Sequence, residues 1–135
     1  MTAAGLTTLS STFGAKETMD RLEGDIKAAG MSVFAGIDHA AGAALVGLPL
    51  RPTELLIFGN AKAGTPLMQA DQTIGIDLPL KALVYQDASA NVWVAYNDPA
   101  WIAGRYGIAD AVAPNLAAMS AALKSLVKKA TQSSP

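Results

Sequence analysis

Residues 80–87 and 91–97 are two runs rich in Leu, Val, Tyr and Trp, separated only by Ala88-Ser89-Ala90. So short a connector cannot carry a crossover, and two strands joined by it must lie antiparallel, as a hairpin. A doubly wound parallel sheet is thereby disfavoured for this half of the chain. Every earlier strand has to join a sheet that already contains the hairpin.

Upstream, residues 6–13 are rich in Thr and Ser with unevenly spaced apolar residues and read as a first strand. Over residues 15–29, Met19, Leu22 and Ile26 recur at helical spacing and Gly30 follows as a left-handed cap, which predicts an amphipathic helix. Val33, Ala35 and Ile37 alternate along a strand over 31–37, and Asp38 is placed to cap a short alanine-rich helix over 39–45. Pro49 and Pro52 punctuate a loop leading into a strand over 53–59. Thr65-Pro66 reads as a helix start, with the threonine as N-cap and the proline at the first helical position, and that helix stops by Asp71.

Asp98-Pro99 repeats the signal for a helix of one to two turns that runs to Tyr106 and ends at Gly107. A last helix carries Val112, Leu116, Met119, Leu123 and Leu126 on one stripe before Lys128-Lys129, whose charges suit the negative end of the helix dipole. Residues 131–135 read as a frayed tail. The order predicts an α+β fold: a curved, mainly antiparallel sheet of about five strands backed by helices. The chain has 135 residues, enough for one core, so residues 1–135 are taken as a single domain.

Alternation along the three best strands leaves apolar residues on both faces of the sheet. Leu55, Ile57, Ala82, Val84, Val92 and Val94 are assigned to one face, and Leu56, Phe58, Leu83, Tyr85 and Trp93 to the other. Helices meet one face. An open second face would expose more apolar surface than monomers usually leave uncovered, so a second cover is expected: short helices of the same chain, a second copy or a ligand, with a homodimer favoured.

Eleven acids and ten bases leave a net charge of −1, which gives no reach for nucleic acid or an anionic membrane. Cysteine is absent, which excludes disulfides, thiolate nucleophiles, zinc ribbons and iron–sulfur ligation. The sequence shows no membrane span and no signal peptide, so the expected location is the cytoplasm, or outside it for a chain whose leader has been removed.

The segment Gly59-Asn60-Ala61-Lys62-Ala63-Gly64-Thr65 follows a strand and opens a helix, as a phosphate loop does. It lacks the lysine directly after the second glycine, so nucleotide hydrolysis does not follow. What remains is a cationic loop able to hold a small anion. His39 is the only histidine and the only group whose ordinary charge changes near neutrality. It is the weak catalytic candidate, and no metal site can be built on it alone. Asp77, Lys81 and Asp98 stand with Asn60, Lys62 and Thr65 at strand ends and connections, and complete the ligand-binding candidates. The Asp87-x-Ser89-x-Asn91 spacing reads as a hairpin turn rather than a calcium loop. Trp93, Tyr96 and Trp101 read as core and interface aromatics, with Arg105 the only base near them.

The run from Arg51 to Asn60, the stretches Lys62 to Gln69 and Asp77 to Leu83, the segment Tyr96-Asn-Asp-Pro-Ala-Trp101 and the upstream Phe34 to Gly42 together resemble the bacterial domain of unknown function 302 family. The resemblance covers about residues 7 to 127, with Ala61 standing where the family favours proline. It implies an α+β domain similar to the TATA-binding-protein-like fold, commonly a homodimer, and no established activity, cofactor or catalytic residues. The combined reading is a noncatalytic or regulatory homodimer binding a small ligand near Asn60, Lys62 and Lys81, with a small anion as the candidate. The alternatives are an enzyme in which His39 works with a nearby carboxylate, and a purely structural self-associating protein.

Overall fold

The computed structural model describes residues 3–133. Strand β1 (Leu6–Ser11) leads into helix α1 (Ala15–Ala28), then β2 (Ser32–Asp38), α2 (His39–Leu45), β3 (Thr53–Gly59) and α3 (Ala61–Ala70). A 3-10 segment (Gln72–Asp77) precedes the hairpin of β4 (Leu80–Gln86) and β5 (Val92–Asn97), and α4 (Pro99–Arg105) and α5 (Ala113–Thr131) follow. The five strands form one sheet in the order β1-β5-β4-β3-β2, antiparallel throughout. The architecture is the α+β class expected from the hairpin.

Local chemistry explains most of the boundaries. The Asp38 carboxylate accepts from the Ala41 amide at 2.9 Å and starts α2, and Asp98 accepts from the Ala100 amide at 3.0 Å and starts α4. Asp87 closes the hairpin turn by accepting from the Ser89 and Asn91 amides and, at 2.9 Å, from the Trp93 indole. Gly5, at φ 74°, lies against the Trp101 ring so closely that any Cβ would overlap it, so only glycine fits.

Helix α3 departs from the expectation. It begins at Ala61, five residues ahead of Pro66, and its cap is Asn60, whose side-chain oxygen accepts from the Ala63 amide at 2.6 Å. Thr65 is therefore no cap, and Pro66 lies inside the helix, leaving the Lys62 carbonyl without its intrahelical donor. The tail reading also changes. Thr131 is fully buried, its hydroxyl donates to the Val127 carbonyl at 2.8 Å, and its own carbonyl accepts from the Thr12 amide at 2.8 Å. Residues 134–135 lie outside the described part.

The core lies between one face of the sheet and helices α1 and α5. Leu22, Ile26, Phe58, Val84, Val94, Leu123 and Val127 are fully buried there. Strand register sets which residues face it: Leu56 pairs with Ala82, Phe58 with Leu80 and Val84 with Val94, so these six share the helix side. Leu55 pairs with Leu83, Ile57 with Lys81 and Tyr85 with Trp93 on the opposite face. The predicted faces are thus exchanged along β3 relative to β4 and β5. The alternation was legible, but the relative phase of two strands depends on register, and a shift of one residue swaps every side chain.

Candidate functional site

A cleft of about 720 Å³ opens where the C-terminal end of β3, helix α3, the segment leading into β4 and helix α5 converge. Its volume lies in the range of small-molecule sites, roughly 300–1,000 Å³. Phe58 and Leu80 supply the sheet wall, Met68 and Leu78 come from α3 and the β4 approach, and Met119 and Leu123 come from α5. Met31 and Phe34 close the β2 side. The latter is the unpaired residue at the register shift between Val33 and Ala35 and is exposed.

Alanine now acquires a role. On α5, Asn115, Ala118 and Ala122 lie along one stripe facing the cleft, and both alanines are exposed. Larger residues here would fill the space. The two small side chains therefore leave room for the cleft. Three methionines, Met31, Met68 and Met119, give the walls adaptable shape.

The ligand-binding candidates divide among different places. Asn60, Lys62 and Thr65 line the cleft, with Asn60 held by its capping bond. Folding of residues 61–65 into the helix removes the open anion loop read from the sequence, because Ala63 donates to Asn60 Oδ1 and Gly64 donates to the Asn60 carbonyl. Lys81 pairs across from Ile57 on the other face of the sheet and lines a second, shallower hollow of about 510 Å³ with Leu50, Arg51, Leu55, Leu83 and Tyr85. An Asn60–Lys62–Lys81 site is therefore not assembled.

Asp77 is occupied elsewhere. It accepts from the Tyr106 hydroxyl at 2.5 Å and pairs with the Arg105 guanidinium at 2.6 Å. The Tyr106 hydrogen bond, with help from Arg105 and Lys81, holds its carboxyl below the usual range, and the same bond pushes the Tyr106 phenol up. Asp98 caps α4 and accepts from the Ser120 hydroxyl at 3.2 Å. His39 is exposed at the start of α2, lines neither hollow, and makes no side-chain hydrogen bond among the described residues. Glu54 pairs across from Asp38, and burial together with that neighbouring acid raises its carboxyl above the ordinary value. Among the described residues no cluster of His, Asp or Glu could hold a metal ion.

Trp93, Tyr96 and Trp101 do not form a wall. Trp93 lies on the sheet face away from the helices, Tyr96 is buried on the core side, and Trp101 covers Gly5 from α4. The cleft itself was missed in the sequence because its apolar lining comes from β2, β3, α3, β4, α5 and two connections, which lie far apart along the chain. The one available signal was a helix stripe of alanine beside a stripe of large apolar residues.

A five-stranded antiparallel sheet backed by helices, with an apolar cleft where β3, α3 and α5 converge, defines a small α+β domain. The family profile described as domain of unknown function DUF302 matches residues 7–126, and the chain belongs to that family. A solved structure of an uncharacterized conserved DUF302 protein from Bacillus stearothermophilus superposes with a TM-score of 0.84 and 22% identity, covering 95% of this chain and 99% of that one. The chain is also 50% identical over 105 residues to proteins named fluoride-specific ion channel FluC 1 in Brucella suis biovar 1 (strain 1330) and FluC 2 in Brucella melitensis biotype 1. Those matches cover 78% of this chain but only 41% and 39% of the relatives. Among the described residues no helix is long and apolar enough to cross a membrane.

Proposed function

We propose that this chain is a noncatalytic, ligand-binding domain that acts as a homodimer, with a small molecule seated in the cleft between α3 and α5. The cleft carries the reading: it is apolar, has a few polar groups on one side, and is held open by alanines. It favours binding over a purely structural, self-associating role. Among the described residues His39 has no carboxylate partner that would support the enzyme alternative. The dimer reading rests on the second sheet face, where Leu55, Ile57, Leu83, Tyr85 and Trp93 are only half covered. The sheet layout also supports likeness to the TATA-binding-protein-like fold, and the net charge of −1 speaks against any nucleic-acid role drawn from that likeness.

The test is native mass spectrometry of protein purified from its own host. A dimer retaining a small molecule is expected, and an Ala118→Trp variant should remain dimeric but lose the molecule. Ligand-free protein that binds nothing from host extract would remove the binding role, and a monomer at tens of micromolar would remove the dimer.

A second reading comes from the relatives named as fluoride channels, of which this chain matches about two fifths. Domains of this kind would then serve as accessory, ligand-responsive parts of a larger membrane assembly. Co-expression with a channel lacking its own matching region, followed by co-purification, tests it, and failure to associate removes it.

A further inference from the structure

We propose that the cleft selects an amphiphile with one anionic head, of the medium-chain carboxylate class, with its chain among the methionines and its head at Lys62. The inference rests on the reading of the cleft as a ligand site and adds the chemistry of the occupant. Lys62 is the only charged residue in the cleft lining, which contains no acid. It forms no ion pair among the described residues.

Its position works against its own helix. Lys62 stands in the first turn of the ten-residue α3, where the helix dipole and free amides favour a negative charge, and that turn has no acid. A residue that breaks a local rule without local compensation marks a functional position. Here the lysine and the dipole add their positive potential over the same side of the cleft. Asn60 adds to this bias. Its oxygen is spent on the Ala63 amide, so its free amide hydrogens remain as donors. Across the cleft, Asn115 is half-buried and makes no side-chain hydrogen bond among the described residues. Thr65 adds a hydroxyl on the same helix as Lys62, and the other lining side chains, Met31, Phe58, Met68, Leu78, Met119 and Leu123, offer a polar group nothing beyond thioether sulfur. One positive charge, a few polar groups and a mostly apolar remainder suit a carboxylate on a hydrocarbon chain and disfavour a cationic ligand.

Isothermal titration of the full chain with octanoate, decanoate, dodecanoate and decanol, all below their aggregation limits, tests this. Affinity should rise about fourfold per added methylene while the chain fits, and decanoate should bind more tightly than decanol. Lys62→Glu should weaken decanoate at least about fivefold and leave decanol unchanged, whereas Ala122→Trp should weaken both. Circular dichroism establishes that each variant is folded. Equal binding of decanol and decanoate, untouched by Lys62→Glu, overturns the anionic-head assignment but leaves the cleft as a ligand site. Failure of every chain to bind folded wild-type protein overturns both. Lys62-dependent sedimentation with phosphatidylglycerol vesicles, in the absence of binding to free decanoate, overturns the proposal in favour of a membrane surface.

Discussion

At the scale of single residues, the polar groups that stood out in the sequence hold the fold more than they form a site. Asp77 shows why the sequence does not reveal this: its partners Arg105 and Tyr106 lie on the far side of the β4–β5 hairpin, and nothing in the spacing announces that they meet. The sign of the pH effect follows from the directions of the shifts. The Asp77 carboxyl titrates lower in the folded protein than in the unfolded chain, so its stabilisation is complete above the ordinary carboxylate range and is lost as pH falls through the folded value. Tyr106 titrates higher when folded, so its neutral form adds stability that is lost as pH rises beyond the ordinary phenol range, about 10. Asp77→Asn is expected to cost about 1 kcal/mol near neutrality, since Arg105 is well exposed and the pair is discounted for solvent. Urea unfolding across pH checks it: the gap between wild type and variant should close in acid, and a gap that persists below the carboxylate range would show that Asp77 acts through packing instead. Arg21 was equally hidden. Its guanidinium lies 4.1 Å from the Phe13 ring and donates to the Lys129 and Gln132 carbonyls, tying α1 to the end of α5.

Among the elements, the sequence was most legible where a capping residue or an apolar period marks a helix. Asp38 before α2, Asp98-Pro99 before α4 and the Met19–Leu22–Ile26 stripe of α1 all lie where their chemistry predicted. The 3-10 segment was missed, although Asp71 signals it by accepting from both the amide and the hydroxyl of Thr73. Helix α3 starts ahead of the Thr65-Pro66 signal, at a cap the sequence reading did not identify. Ala61, Lys62 and Ala63 are good helix formers, Asn60 supplies a short capping bond, and starting early gains more helix than Pro66 removes by deleting one donor. Asn60→Ala is therefore expected to destabilise the protein by about 1 kcal/mol, and Thr65→Ala to change it by less than about 0.5 kcal/mol, as read by thermal unfolding. The reverse order of costs would return the helix start to Thr65.

For the molecule as a whole, the two-faced sheet was visible in the sequence while the partition of its residues was not. Alternation within a strand is intrinsic, whereas the phase between β3 and β4 is decided by the pairing of Leu56 with Ala82 and Leu55 with Leu83, which involves residues well apart in the chain. On the face away from α1 and α5, the sheet presents Leu55, Ile57, Leu83, Tyr85 and Trp93, half-buried only by one another and by neighbouring loops. Beside it, the end of α2 and the segment after it carry Leu45, Val46, Leu48 and Leu50, which are 89%, 71%, 63% and 49% exposed. Both are apolar, and together they form the surface that a second copy would cover in the proposed dimer. The two faces can be separated by experiment with adjacent residues of one strand. Val84→Asp places a charge in the core beside Val94 and should unfold the chain. Leu83→Asp points the same charge at the open face, and should leave the circular dichroism spectrum native while raising the dimer dissociation constant at least about tenfold in sedimentation equilibrium. Leu48→Asp should do the same if the arm after α2 belongs to the same interface. A folded Leu83→Asp protein that dimerises like wild type would remove this face from the interface, because even with Arg51 and Lys81 lining the same hollow, burying a carboxylate in a close-packed apolar contact costs more than burying the leucine it replaces.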